Sequence, residues 1–373
     1  MRINPGIHVL NISPRARQLG IGSGSLLLRN LQDADVAFLG ALRRGVPDGT
    51  EAAAASALRV PRERAAALIE ALRPLLVPHE VSAPPVPSLR SERLAPDGRR
   101  LSAAYGINGE EPVRRRSQAT VFIDGLGRAG ALLARTLATA GVGRLLLRDP
   151  AVVAPADVGT AYAVTDIGMN RAAAVKRHLF RIDPTQQVLT VTDGGERTEP
   201  RAVDLAVTVR AVGAVPRGSE PGTSPGVPSL LLSVNETGWD VGPLLVPGAT
   251  PCLECLDRRR ADSDPGWYAA VEALAGQDRQ RSGAGPVRSP AGNAECAIPE
   301  GEEAAGAALA AGAASLAALV FLDGINQPAL LSAVLSLRTS DGFSRLQELD
   351  YHPACGCRLQ HRETRAGRPG HAA

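Results

Sequence analysis

The feature that most constrains this chain is a set of four cysteines in two tight pairs. Cys252 and Cys255 stand in PCLEC, and Cys355 and Cys357 stand in CGC. Thiolates at such spacings bind one side of a tetrahedral metal ion, and a second pair closes the other side. The pattern predicts a structural zinc that joins two distant segments. The alternative, a disulfide framework, suits a secreted chain, whereas MRINPGIHVLNISPR has no apolar signal segment.

The second feature is a glycine-rich turn between an apolar strand and a helix. ATVFIDGLGRAG predicts the strand and turn, ALLARTLATAGVG the helix, and RLLLRDP a second strand. Gly125, Gly127 and Gly130 have the spacing of a dinucleotide-binding fold, in which the backbone approaches a phosphate closely. Asp149 ends the second strand, where a carboxylate can accept hydrogen bonds from a ribose. The predicted fold class is α/β, a Rossmann-like doubly wound sheet. A doubly wound sheet that holds no nucleotide is the alternative.

The order of these patterns predicts four segments. Residues 1–80 carry two short strand patterns followed by helical patterns at 33–43, 51–58 and 62–76, which is typical of a small winged-helix-like domain. The Pro-rich composition around 81–100 predicts a linker over 81–118. The Rossmann-like domain with its zinc is then expected over 119–360, and a disordered tail over 361–373.

Composition excludes several classes of function. The formal net charge is only +3, and the basic residues are nearly all arginine, with Lys176 the sole lysine. Arginine bias together with abundant Ala, Gly and Pro is typical of a GC-rich genome, so no nucleic-acid partner is predicted. The apolar stretch 304–322 is rich in alanine and glycine, which favours a core helix over a membrane span. A nicotinamide dehydrogenase would need a proton-relaying histidine or a tyrosine–lysine pair, which the sequence around Lys176 does not offer. A DNA-reading second helix would need a row of Arg, Asn or Gln, whereas this helix is alanine-rich.

The chain resembles the ThiF, MoeB and HesA family, related to ubiquitin-activating enzymes. The resemblance covers residues 119–359 and rests on five segments in order: GLGRAG, AGVGRLLLRDP, DIGMNRAAAVKRHLFRIDP, PCLEC and HPACGC. It implies adenylation of the C-terminal carboxylate of a small protein or peptide with magnesium ATP, a four-cysteine zinc, and a homodimer. The segment HVLNISPRARQLGIGSGSLLLRNL is similar in pattern to the leader-binding module of thiazole/oxazole-modified peptide systems in actinobacteria.

The resemblance also assigns residues. It places Gly125, Gly127 and Gly130 at the nucleotide loop, Asp149 at the ribose, Arg171 at a phosphate-binding lysine, and Cys252, Cys255, Cys355 and Cys357 at the zinc. Other polar positions are not matched. Ala151 replaces a second acid, ADVGTAYAV replaces a run with a phosphate-binding arginine, and Ala211 replaces an aspartate that holds magnesium. No catalytic residue is therefore assigned.

Two functions follow from this mixture. The first is a degenerate, non-adenylating member that keeps the fold, the zinc and a nucleotide-shaped pocket, and binds a peptide or small carrier protein in the cytoplasm. The second is an active ATP-dependent adenylyltransferase in which Asp124 or Asp204 replaces the missing magnesium ligand. Cys296 is assigned no role, His352 is left out of the metal site, and Trp239 is expected in the core.

Overall fold

The chain folds into two compact units, Met1–Arg115 and Arg116–Ala373. The computed structural model describes residues 1–79, 88–191, 203–212, 226–274 and 302–357, so the predictions for Cys296 and for the tail 361–373 lie outside the described residues. Each unit buries a hydrophobic core of its own. Burial of apolar side chains is the main favourable term in folding, so each unit has its own source of stability.

Within residues 1–79, four short strands precede three helices and a fifth strand follows them, whereas the sequence predicts two strands before three helices. The strands are β1 Arg2–Ile3, β2 Val9–Ser13, β3 Ala16–Leu19, β4 Leu26–Leu28 and β5 Leu76–Val77, and the helices are α1 Asp33–Arg44, α2 Glu51–Ala57 and α3 Arg62–Leu72. β2, β3 and β4 form an antiparallel sheet with β3 in the middle, and β1 pairs separately with β5. Leu19, Phe38 and Leu72 are fully buried in the core of this unit. The predicted helices at 33–43 and 51–58 are confirmed.

The third helix is shorter than the predicted 62–76, and its end has a clear cause. It stops at Leu72, where a single 3-10 turn, Arg73–Leu75, leads into β5. Pro74 lies in this turn. Proline has no backbone N–H to continue the helical hydrogen bonding, so the chain leaves the helix and pairs with β1 instead.

The segment predicted as a linker contains two helices, α4 Leu89–Tyr105 and α5 Glu110–Arg116. Ser88 caps the first of them with its hydroxyl, which accepts a hydrogen bond from a backbone N–H of the first turn. Asn4 donates from Nδ2 to the carbonyl oxygen of Ser102 at 2.6 Å, so α4 packs into the first unit. The structure therefore differs from the predicted linker, which rested on the proline-rich composition; Pro96 lies inside α4.

A large mixed sheet forms the second unit. Its strands are β6 Thr120–Asp124, β7 Arg144–Arg148, β8 Gln187–Thr190, β9 Leu205–Ala211, β10 Ser229–Asn235, β11 Gly238–Leu245, β12 Ala333–Arg338 and β13 Ser344–Glu348. In the described residues their order is β13-β12-β11-β10-β9-β6-β7-β8. The neighbours from β8 to β10 are parallel, and the pairs from β10 to β13 are antiparallel. Counted from β6, the parallel part has the order 3-2-1-4-5 of a Rossmann fold. The predicted α/β, Rossmann-like class is confirmed.

The helices of the second unit are α6 Arg128–Thr139, α7 Arg171–Ile182, α8 Leu253–Ser263 and α9 Ala304–Asp323. α6 packs against both α7 and α9. Alanines on the buried face of α9 let it approach closely, and Trp239 is fully buried in the same core, as predicted. Among the described helices, α9 alone is long and apolar enough to cross a bilayer, and half of its most apolar stretch is buried within the protein. This burial agrees with the core helix predicted at 304–322.

The strand order reverses between β6 and β9. β7 and β8 follow on one side of β6, whereas β9 and β10 follow on the other side. In open α/β sheets, ligands bind at the carboxyl ends of the strands at such a switch point. Asp124, Arg148 and Ala211 end β6, β7 and β9, so they border the candidate site.

Candidate functional site

The turn from β6 into α6 is rich in glycine because the backbone passes very close to β9. Gly125 has a φ of +93°, and a Cβ atom there would lie 2.1 Å from the carbonyl oxygen of Val209. A Cβ atom at Gly130 would lie 2.0 Å from the carbonyl oxygen of Gly125. A side chain at either position would clash with backbone. The predicted glycine spacing therefore has a steric cause, and it brings the first turn of α6 to the carboxyl edge of the sheet.

Asp149 holds this turn from the neighbouring strand. One carboxylate oxygen accepts a hydrogen bond from the N–H of Leu126 at 2.7 Å, and the other accepts from the N–H of Ala151 at 2.9 Å. The residue is only 8% exposed. The structure thus brings Asp149 to the glycine loop, and both oxygens are engaged by backbone. Its contact with a ribose stays a prediction.

Tyr162 holds the same turn through its hydroxyl group. That group donates a hydrogen bond to the carbonyl oxygen of Leu126 at 2.5 Å, and the side chain is fully buried. Burial raises the pKa of Tyr162, so the hydroxyl stays protonated and remains a donor. Sequence reasoning missed this residue, because a lone tyrosine in ADVGTAYAV carries no spacing signal.

Arg171 begins α7 and is bound by two acids. Its Nη2 lies 2.8 Å from Oδ1 of Asp157, its Nε lies 3.1 Å from Oδ2 of Asp157, and its Nη1 lies 3.6 Å from Oδ2 of Asp149. Burial opposes the charge, but the hydrogen bonds to Asp157 and the charge of Asp149 outweigh it and raise the pKa of Arg171. The cation predicted for a phosphate is therefore neutralised within the protein by Asp157, which sequence reasoning did not single out.

Glu302, just before α9, reaches the first turn of α6. Its Oε2 accepts a hydrogen bond from the N–H of Ala129 at 2.6 Å, and Arg128 donates from Nη1 to its carbonyl oxygen at 2.9 Å. A Cβ atom on Gly127 would lie 2.2 Å from Oε1 of Glu302. Glu302 and Ala129 are 173 positions apart in the chain and meet because α9 packs on α6. No local pattern in the sequence could reveal this contact.

Asp124 ends β6 and is paired with two arginines from the neighbouring strands. Arg148 donates from Nε at 2.9 Å and from Nη2 at 2.7 Å to the two carboxylate oxygens. Arg210 forms a second ion pair with Asp124. The guanidinium of Arg148 also stacks over the ring of Phe122, 5.5 Å from its centre. Asp124 is 3% exposed, so it serves as the shared counter-ion of two arginines.

The two ends of β9 carry Ala211 and Asp204, the other two positions at which a magnesium ligand is in question. Ala211 is the last residue of β9, at the carboxyl edge. Asp204 precedes the strand, and its Oδ2 accepts a hydrogen bond from the N–H of Thr120 at 2.7 Å. Thr120 begins the parallel strand β6. At about 3.3 Å per residue, Asp204 lies roughly 20 Å from Ala211, on the opposite edge of the sheet.

The four predicted cysteines meet at one point. Cys252 and Cys255 lie at the start of α8, and their sulfur atoms are 4.0 Å apart. The sulfur atoms of Cys252 and Cys355 are 3.6 Å apart, and those of Cys255 and Cys357 are 3.3 Å apart. All four lie within 4.8 Å of one another. Tetrahedral zinc with bonds of about 2.3 Å requires sulfur separations of about 3.8 Å, so this donor set fits such an ion.

His352 supports the cluster without supplying a ligand. Its backbone N–H points at the sulfur of Cys255, 3.4 Å away. Its Nδ1 accepts from the N–H of Ala354 at 3.1 Å, and its Nε2 lies 3.2 Å from Oδ2 of Asp262. Both ring nitrogens therefore have partners other than the sulfurs.

Known proteins match both the loop and the fold. Residues 100–212 match the sequence model of the ThiF family. Over 185 residues the chain is 28% identical to protein HesA of Nostoc sp. strain PCC 7120, an alignment that spans 45% of this chain and 69% of HesA. The heterocyst HesA of Trichormus variabilis is also 28% identical, with 45% of this chain and 65% of that protein aligned.

Solved structures extend the likeness over nearly the whole chain. E. coli MccB with ATP superposes with a TM-score of 0.60 at 17% identity, covering 95% of this chain and 98% of MccB. The microcin C7 biosynthetic enzyme MccB in complex with N-formylated MccA superposes with a TM-score of 0.59 at 15% identity and the same coverage. At these identities the likeness is one of fold. The resemblance to the ThiF, MoeB and HesA family found in the sequence is confirmed by the ThiF match over residues 100–212 and by the similarity to HesA.

Proposed function

We propose that this protein binds a peptide or small carrier protein and does not adenylate it, because its adenylation site is degenerate. The observation that carries the proposal is the position of the two acids that might replace the missing magnesium ligand. Asp124 is the counter-ion of Arg148 and Arg210, and Asp204 lies on the far edge of the sheet. With Ala211 in the place of the family's aspartate, neither of these acids can anchor the ion.

The cations of the site support the same proposal. Arg171, which stands for a phosphate-binding lysine, is already paired with Asp157 and lies close to Asp149. A phosphate would have to compete with two carboxylates for this guanidinium. A magnesium ion supplies several kcal/mol of stabilisation in nucleotidyl transfer, on the order of a thousandfold in rate. Losing both the metal anchor and a free cation removes the main electrostatic support of the transition state.

The partner proposal rests on the first unit, which we interpret as a winged-helix-like peptide-recognition domain. In its sheet, Leu10 on β2 and Leu27 on β4 each pair in register with Gln18, so these side chains share one face. Leu10, Leu27 and Ile12 are 36%, 39% and 55% exposed. β2 and β4 are edge strands, to which an extended peptide can add by main-chain hydrogen bonds while its side chains contact this apolar face. The complex of MccB with MccA shows that a protein of this fold binds a peptide.

The cysteine cluster is proposed to hold structural zinc. Its four ligands leave no open position for a substrate, so the ion would stabilise the region around α8 and take no part in chemistry. A homodimer, which is carried over from the family, and a cytoplasmic location, which is inferred from the sequence, remain predictions.

The proposal is tested by exchange of labelled pyrophosphate into ATP. The full chain is incubated with magnesium ATP and each peptide encoded beside its gene, and peptide binding is measured separately by calorimetry. We expect peptide binding without exchange above background. Asp149→Ala is the matched control for any signal, and Ala211→Asp tests whether restoring a carboxylate restores turnover.

The second candidate function is an active adenylyltransferase. It is favoured by the intact backbone of the glycine loop and by the location of Asp149 at the end of the neighbouring strand. Strong exchange in the wild-type protein, abolished by Asp149→Ala, would establish this candidate and overturn the degenerate site.

A further inference from the structure

The first turn of α6 already carries a carboxylate. α6 begins after Gly127, which has no side chain to cap the helix, and the Ala129 N–H donates to Glu302 instead. Because a Cβ atom on Gly127 would lie 2.2 Å from Oε1 of Glu302, this oxygen rests directly against the glycine backbone. A carboxylate accepts helix N-terminal hydrogen bonds and is favoured by the helix dipole, as a phosphate is.

The same place is where a phosphate would have to bind. In glycine-rich loops of Rossmann folds, the second glycine allows the ligand to touch the backbone, and the phosphate lies at the N-terminus of the helix. Here the second glycine is Gly127, and Glu302 covers it. Two anions cannot share one set of N–H donors, so a phosphate and the Glu302 carboxylate exclude each other.

Glu302 is held in this position by contacts of its own carbonyl group and of the next residue, Glu303. Arg128 binds its carbonyl oxygen and reaches the carbonyl oxygen of Val158 with its other terminal nitrogen at 3.1 Å. The next residue, Glu303, accepts from the indole N–H of Trp239 at 3.2 Å, and its Oε1 also accepts from the hydroxyl of Thr339 at 3.0 Å. The start of α9 is therefore fixed, and displacing Glu302 requires a rotation of its side chain away from α6.

We propose that Glu302 is an internal anion that occupies the phosphate position of the loop and thereby sets the affinity for phosphate-bearing ligands. The inference rests on the proposed function, in that it takes this loop to be the place where a nucleotide would bind. Asp149, Asp157 and Glu302 together outnumber the cations Arg128 and Arg171, so the loop carries a net negative charge without a ligand and disfavours a further anion. A nucleotide can bind to the loop only after this carboxylate moves away or loses its charge.

The test is a titration of the full chain with ATP, ADP and inorganic pyrophosphate, in which binding is measured by calorimetry and by thermal shift. Glu302→Gln keeps the size of the side chain and an oxygen that can accept from Ala129, but removes the charge. Glu302→Ala opens the position altogether. Glu236→Gln, in the exposed turn between β10 and β11, is the control for net charge. We expect pyrophosphate and ATP to bind about tenfold more tightly to both Glu302 variants, and equally to the control and wild type.

The outcomes separate this inference from the proposed function. If the Glu302 variants bind pyrophosphate and ATP no more tightly than the wild type, the inference fails, whatever the exchange assay shows. If affinity rises and exchange stays at background, both stand. If affinity rises and exchange appears in Glu302→Ala, the carboxylate was the block, so the inference stands and the degenerate site is overturned. Glu302→Gln keeps the test valid if Glu302→Ala does not fold.

Discussion

Two sites of the second unit, the cysteine cluster and the glycine loop, differ in how their polar groups are satisfied. At the cluster, four sulfur atoms converge within 4.8 Å, and a cation is what such a donor set is suited to bind. At the loop, each acid is paired with a backbone N–H or an arginine of the same chain. The donor set of the first site therefore suits an external ion, whereas the polar groups of the second are satisfied without any ligand.

The largest effect is expected when the cluster loses a ligand. Cys252→Ser or Cys355→Ser should lower thermal stability severely or prevent folding of the second unit, because a structural zinc contributes its binding free energy to folding, about 10 kcal/mol in small zinc domains. Metal analysis should find about one zinc per wild-type chain and less in the variants. Cys296→Ser, which changes the fifth cysteine of the chain, is the control. Unchanged melting temperatures would show that the cluster, like the loop, needs no ion.

A smaller effect is expected when Asp124, the shared counter-ion of Arg148 and Arg210, loses its charge. Asp124→Asn leaves Arg148 and Arg210, which are mostly buried, beside a neutral side chain. Breaking a buried pair by removing one partner costs about 3–5 kcal/mol, and we expect a loss of that size in chemical denaturation. Asp204→Asn, at the far edge of the sheet, serves for comparison. A stable Asp124→Asn protein that loses metal-dependent nucleotide binding would make Asp124 a magnesium ligand after all.

The sequence predicted the residues whose signal is local and missed those whose contacts join distant positions of the chain. The cysteines were found because ligand type and spacing are local, and the glycines because a close backbone approach excludes every other residue at Gly125. The neutralising contacts are not local: Asp157 meets Arg171 across 14 positions, and Glu302 meets Ala129 across 173. Such pairs are chosen by helix packing, which single-sequence patterns do not describe. The two helices between residues 89 and 116 were missed because the prediction rested on proline content and did not consider the Ser88 cap.

The smallest expected effect is a pH dependence of stability that arises from Glu302. Burial raises the pKa of the Glu302 carboxyl, and the hydrogen bond from Ala129 and the charge of Arg171 only partly offset this. The folded state therefore binds this proton more tightly than the unfolded state does, so the contribution of Glu302 to stability is greatest at low pH and falls as pH rises through the raised pKa. Glu302→Gln has no such titration. We expect the variant to be at least as stable as the wild type near neutral pH. As pH falls through the acidic range, the free energy of unfolding of the wild type should rise relative to that of the variant. Urea denaturation of both proteins from pH 4 to pH 7 measures this difference, with Glu236→Gln as the exposed control. If the difference in stability did not change with pH, the charged form of Glu302 would be fully compensated by its contacts with α6. The loop would then need no ligand to balance its charges, just as the cysteine cluster would need none once it held a metal ion.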